Sequence, residues 1–259
     1  MTHRWAELAT TDFAALDAAR TIALLPVGAI EQHGPHLPLG TDSMIADGIV
    51  TAALEAVDDS VNVLALPTQA VGDSLEHADF AGTLSQQAET LIASWIELGR
   101  SVYAAGLRKM MIFNAHGGQP QVVDIVAKRL RVELGMVVGR VTYFSFGCPE
   151  GLIAPDELAY GIHGGDVETS IMLHLHPDLV RHEAVTDFPN RMRGLASSMR
   201  RMGHGGRTGI GWKAQDINPQ GAVGDATAAT AEKGRALVEH FAGELALRLA
   251  DMADYEITD

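Results

Sequence analysis

The sequence predicts an α/β fold: a single-domain three-layer sandwich with a mostly parallel central sheet, spanning residues 1–259. Two observations carry this expectation. Short apolar runs alternate along the chain with longer segments of helical periodicity, the order that a parallel sheet covered by helices on both faces requires. The apolar runs are also nearly continuous, as in strands buried on both sides.

TIALLPVGAI (21–30) reads as the first buried strand. GTDSMIADGIVTAALEAV follows as a helix opened by a Thr/Asp start signal. VNVLALPTQA (61–70) is the second strand, and TLSQQAETLIASWIELGRSVYAAG (83–106) a long amphipathic helix ending at a glycine. KMMIFNAHGG (109–118) is a third strand running into glycines, QPQVVDIVAKRLRVEL a helix, and MVVGRVTYFSF (136–146) a fourth strand. GGDVETSIMLHLHP (164–177) begins another helix, and DATAATAEKGRALVEHFAGELALRLADMA (225–253) is the last. Residues 181–224 are irregular and Gly-rich, with no repeat or linker that would split off a second domain.

Composition narrows the function classes. A formal net charge of -14 argues against nucleic acid as a partner, because phosphate binding needs clustered Lys and Arg. The one Arg-rich stretch, RMRGLASSMRRMGHGGR (191–207), lacks interleaved aromatics and reads as a solvated or interface segment. No apolar run approaches the ~18 residues of a membrane span, so no membrane is expected as a partner. The N-terminus shows no basic region followed by an apolar one, which makes cytoplasmic location the expectation. A single cysteine, Cys148, excludes an intrachain disulfide and suits a reducing compartment. Nucleotide-cradling GxGxxG and GxxxxGK[ST] patterns are absent, as is the GxSxG elbow of serine hydrolases.

The chemistry-bearing residues cluster where strands end, which is where open α/β sheets bind ligands. After the first strand comes GAIEQHGPHLPLGTDS, with Glu31 and His33 two residues apart and able to face one centre in extended chain. That oxygen and nitrogen set suits Zn²⁺, Mn²⁺ or Fe²⁺. Asp42 follows at a helix start; with Thr41 or Ser43 available to cap, it is left free to bridge two metals. NAHGG delivers His116 at the end of the third strand. HGGDVETS places Asp166 and Glu168 in a first helical turn and His163 just before two glycines, exposed at the rim and able to hand a proton to a leaving group. In SLEHADFAGTLS, Glu76 and His77 are expected to support the site or contact substrate, pointing apart if the segment is a strand.

Taken in order, VGAIEQHGPHLPLGTD, SLEHADFAGTLS, NAHGG, HGGDVETS and GAVGDATAATAEKG resemble the creatininase (creatinine amidohydrolase) family over residues 22–234. The resemblance implies a creatininase-like metallohydrolase fold, two divalent metal ions per chain (Zn²⁺ first, Mn²⁺ or Fe²⁺ as alternatives) and a homo-oligomer, a hexamer built from dimers. It implies Glu31, His33, Asp42 and His116 as metal ligands, Asp42 as the bridge, Glu168 as the fifth ligand, and His163 as the proton-transfer histidine. There are departures. Creatininase carries a glutamate ligand two residues after the NxH histidine, where this chain has Gly118. It also has a tryptophan upstream of the HGG histidine, where Tyr160 is the only aromatic here. The usual NGHGGN reads NAHGGQ.

The expected activity is cleavage of a C–N amide bond in a small amide substrate, cyclic amides included, by a hydroxide bridging two metals, with His163 and Glu168 as catalytic groups. Glu76, His77, Tyr160 and Asp166 are the expected substrate contacts. Three other classes stay open: a peptidase acting on a small precursor peptide, a metal-dependent lactonase or other C–O hydrolase, and a metal-binding scaffold without catalysis.

Overall fold

The structure is a computed structural model and describes residues 2–194 and 209–256. Five strands, β1 (Thr2–Arg4), β2 (Thr21–Val27), β3 (Asn62–Ala65), β4 (Lys109–Asn114) and β5 (Val137–Thr142), form one parallel sheet in the order β1-β3-β2-β4-β5. The principal helices are α1 (Thr41–Ala56), α2 (Ala88–Ala104), α3 (Pro120–Leu134), α4 (Pro155–Tyr160), α5 (Asp166–Leu175), α6 (Ala214–Ile217) and α7 (Ala231–Asp254). Between them, β6 (Asp187–Phe188) pairs antiparallel with β7 (Gly224–Asp225).

The three layers follow from strand periodicity. Alternate residues of a strand point to opposite faces. Ile22 and Leu24 of β2, with Phe113 of β4, pack under α1, α5 and α7 through Ile45, Ile49, Ile171, Leu237 and Phe241. Ala23, Leu25 and Val27, with Ile112, pack under α2 and α3 through Trp95, Ile96, Val126 and Leu130. Every residue of β2 and β4 is buried, which explains why these runs carry no polar alternation. Pro26 is tolerated in the central strand because its pairing with β3 has already ended at Leu24 and Ala65. Its carbonyl accepts from the Gln69 N–H at 3.0 Å on that same side.

Several expected boundaries move. The main sheet has a fifth strand, β1, that the sequence reading did not find. The second strand stops at Ala65, short of Pro67, and the segment before α2 is extended, with a bridge between Ile30 and Leu84. The last helix begins after Thr230, whose hydroxyl caps it by accepting from the Lys233 N–H. GHGG (203–206) and most of the Arg-rich stretch lie outside the described residues. Among the described residues no helix is long and apolar enough to cross a membrane.

Candidate metal centre

The segments leaving the carboxyl ends of β2, β3, β4 and β5 meet at one edge of the sheet. There Glu31, His33, Asp42, His116 and Glu168 come together. Asp42 divides its oxygens: Oδ1 is 3.0 Å from His33 Nε2, and Oδ2 is 3.0 Å from His116 Nδ1. His116 Nδ1 also lies 3.3 Å from Glu31 Oε1, and His33 Nε2 lies 3.8 Å from Glu168 Oε2. Two triads result, Glu31/Asp42/His116 and His33/Asp42/Glu168, sharing Asp42; a third grouping joins Glu31, His33 and His163. Within each, the ligand atoms lie within 4.8 Å of one another.

The chemistry of the set fits divalent cations. Each imidazole is oriented by its far nitrogen, which donates to a backbone carbonyl: His33 Nδ1 to Glu31 O at 3.1 Å, and His116 Nε2 to Asp73 O at 2.7 Å. A metal-ligating histidine is held in this way. The near nitrogens then turn lone pairs toward carboxylates. Glu31 Oε2 is buried without a hydrogen-bond partner, a costly state that a cation relieves.

Without a cation, protons take its place. Burial alone would lower His33, but Asp42, Glu168 and Glu31 outweigh it and raise the ring to about 9. Burial likewise opposes His116, yet Glu31 and Asp42 hold it well above the usual histidine value. Burial would raise Glu31, but His116, His77 and His163 keep it well below the usual carboxylate range.

The rest of the constellation is placed less as expected. Neither Thr41 nor Ser43 caps α1: Thr41 Oγ1 donates to Pro38 O, and Ser43 Oγ to Ala29 O and Ala70 O. Asp42 still points away from the helix end into the cluster. His163 is not at an exposed rim. Its side chain is 10% exposed, and its ring lies between those of His33 and His77, at centroid distances of 4.1 and 4.4 Å. Glu76 and His77 sit at a 3₁₀ turn (Leu75–His77) and both border the same cavity, so they do not point apart. His77 Nε2 is 3.5 Å from Glu31 Oε1. Burial lowers His77 to about 3, which keeps it neutral.

Two expected substrate contacts are not brought to the cavity. Residues two apart near a helix start face different directions, so Asp166 and Glu168 cannot share a target. Glu168 turns to the site, where Oε1 accepts from the Tyr143 hydroxyl at 3.2 Å and Oε2 from the Gly164 N–H at 2.6 Å. Asp166 instead pairs with Lys233 at 2.5 Å and accepts from Ser170. The Tyr160 ring lies under Arg193, 4.5 Å from its guanidinium carbon, in a separate depression.

Gly118 explains a departure noted in the sequence. A Cβ built there would sit 2.2 Å from Glu76 Oε1 and 2.5 Å from His116 Nε2. The Glu76 carboxylate occupies the space that a side chain at 118 would need. Burial raises its pKa. The Q of NAHGGQ also acquires a role. Gln119 is fully buried, donates to Gly28 O and Asn114 Oδ1, and accepts from the Asp73 N–H, tying three strand-end segments together. No local pattern in the sequence signals the contacts with Glu76, Asp73 and Gly28, which lie about 42–91 positions away.

Gly118→Ala is therefore expected to push Glu76 and His116 aside and weaken metal binding by about 10–100-fold. Gly117→Ala, where a Cβ meets nothing within 4 Å, is the matched control. Metal titration against a competing chelator checks both; equal affinities would contradict the crowding argument.

The cavity over the cluster has a volume of about 490 Å³. Its lining combines histidines and acids with Phe144, Leu158, Ile162, Trp212 and Phe241. Cys148 borders it too, but burial raises its thiol pKa, so it is not an activated nucleophile.

Comparison with known proteins accords with this geometry. The creatininase (creatinine amidohydrolase) family model matches residues 6–249. The mycofactocin precursor peptide peptidase of Mycobacterium tuberculosis (strain CDC 1551 / Oshkosh) is 34% identical over 253 residues, covering 94% of this chain and 90% of the relative. The creatinine amidohydrolase of Pseudomonas putida is 29% identical over 194 residues, covering 66% and 71%. A solved structure described as "Creatininase Mn" shares the fold with a TM-score of 0.79 at 23% identity, covering 98% of this chain and 100% of the other. A family match across nearly the whole length, on a chain whose fold and clustered ligands agree with it, establishes that this protein belongs to the creatininase family.

Proposed function

We propose that this chain is a dinuclear metal-dependent amidohydrolase that cleaves an amide bond beside an apolar residue in a short peptide. The observation that carries the reading is the pair of triads sharing Asp42, bordering a cavity that is also lined by apolar side chains. Glu31, Asp42 and His116 would hold one cation, and His33, Asp42 and Glu168 the other. When bound, such ions supply an activated water and polarise a carbonyl. Zinc leads and manganese or iron follow, on the chemistry of a mixed nitrogen and oxygen donor set.

The chain's own groups do the rest. Asp42 is fixed by its two histidine neighbours, and Glu168 by Tyr143 and Gly164. An amide nitrogen leaves only when protonated. His163, the donor expected from the sequence, has Nε2 bonded to Gln32 O at 2.6 Å and Nδ1 turned toward Glu31, 3.7 Å away. His163 borders the cavity, but its Nε2 proton is held by that carbonyl. The Glu76 carboxyl borders the cavity and has a raised pKa, so Glu76 is the donor in this reading.

A volume of about 490 Å³ falls in the range of small-ligand pockets, about 300–1,000 Å³. That suits the end of a peptide rather than a long chain. The relative named a precursor peptide peptidase supports the same substrate class. The test is a panel of short peptides bearing aromatic or branched residues near one end, run beside creatinine and formamides with metal-loaded protein. Cleavage of the apolar peptides is expected. Turnover of creatinine with no peptide cleavage would replace the peptide reading with a small cyclic amide.

A further inference from the structure

Gln32, the middle residue of EQH, touches four of the sequence blocks through one side chain and its own carbonyl. Its Oε1 accepts from the Gly34 N–H at 2.9 Å. A backbone N–H can only donate, so the amide orientation is settled: the other terminal atom is Nε2. Nε2 donates to Gly221 O at 3.1 Å, and its second hydrogen points to His77 Nδ1 at 2.6 Å. His77 Nδ1 must then accept, which puts the His77 proton on Nε2, facing Glu31 Oε1. The same logic fixes His163. Its Nε2 lies 2.6 Å from the Gln32 backbone oxygen, an acceptor only, so Nε2 carries the proton and Nδ1 presents a lone pair to the carboxylate cluster.

Gly221 shows how closely the amide is enclosed. Its φ is +88°, and a Cβ there would sit 1.9 Å from Gln32 Oε1. No side chain at 221 is compatible with this amide, so the glycine of the GAVGD block is accounted for by a residue about 190 positions away.

We propose that Gln32 is a positioning residue: its side-chain amide sets the tautomer of His77 and its backbone carbonyl that of His163, so that the His77 N–H faces the Glu31 carboxylate while His163 turns a bare nitrogen toward it. The inference rests on the metal-centre reading and adds a tautomer-setting layer beneath it. Gln32 acts through the two histidines and touches no reacting atom.

The test reads nitrogen signals directly. Full-length chain carrying ¹⁵N-histidine, with and without zinc, is examined by magic-angle-spinning NMR, and His77→Phe and His163→Phe assign the two signals. Protonated Nε2 on both rings is expected. His77 with its proton on Nδ1 in the wild type overturns the proposal, whatever any variant does. In Gln32→Glu a carboxylate oxygen replaces the Nε2 donor, so His77 must place a proton on Nδ1; an unchanged His77 signal there also overturns it. Zinc affinity by chelator competition supplies a second readout. Gln32→Met should lower it about 10–100-fold, and combining it with His77→Phe should add little, because both break one chain of contacts. Additive losses would mean that Gln32 is a structural strut and nothing more. Zinc that fails to bind the wild type counts against the metal-centre reading, while the tautomers of the metal-free protein still decide the Gln32 inference.

Discussion

Asp42→Ala is expected to strip the chain of metal at both positions at once. Each triad loses a shared carboxylate, and the remaining pairs, Glu31 with His116 and His33 with Glu168, offer two donors apiece. Two ligands are too few for a stable site of this type, where three or four protein ligands are usual. Metal per chain should fall from about two equivalents toward none, and amide hydrolysis with it. The fold should survive, because Asp42 neither caps α1 nor belongs to the apolar core. Elemental analysis of the purified variant, beside circular dichroism, checks this. A variant that keeps one full equivalent would show that the triads are independent and that Asp42 is no bridge.

The second large effect is a steep dependence of metal binding on pH. In the metal-free chain His33, raised to about 9, and His116, held well above the usual histidine value, are protonated at pH 7. Both must release a proton to ligate. Calorimetry in buffers of different ionisation enthalpy should report about two protons released per loaded chain at pH 7. Apparent affinity should rise about 100-fold per pH unit up to roughly pH 9, tenfold for each proton. Stability of the metal-free chain runs the other way. A His33 pKa above its unfolded value of about 6.5 stabilises the fold below that pH, and the contribution is lost as pH rises through about 9. It amounts to about 3 kcal/mol for this fully buried ring. Metal-free protein should therefore lose stability between about pH 6.5 and 9, while loaded protein, with no such proton to lose, should not. No proton release at pH 7 would contradict the picture of protons standing in for cations.

These expectations show which features can be read along a chain and which cannot. The apolar runs 22–27 of β2 and 110–113 of β4 arise because both faces are covered, so a run of one residue type reveals them. β1 is three residues of THR at the sheet edge, too short and too polar to stand out. The clustering of Glu31, His33, Asp42 and His116 could be anticipated because each follows directly from a strand end or opens the next helix, where geometry is set locally. The substrate contacts could not. Asp166 and Glu168 share one turn, and only the packing of α5 against α7 and Lys233 decides which faces the site. The burial of His163 depends on rings from segments 86 and 130 positions away. Glu76 filling the space over Gly118, and Gln32 joining four blocks, are tertiary contacts with no periodic signature. His36, the second histidine of the same block, is buried against Phe188 and Thr169, and burial lowers it to about 4.

The most direct measurement is the metal content of the full chain, taken as purified and again after chelation and reloading with zinc or manganese. About two equivalents per chain, restored on reloading, is the predicted result. A chain that takes up no divalent metal under either condition would contradict the two triads as a metal centre.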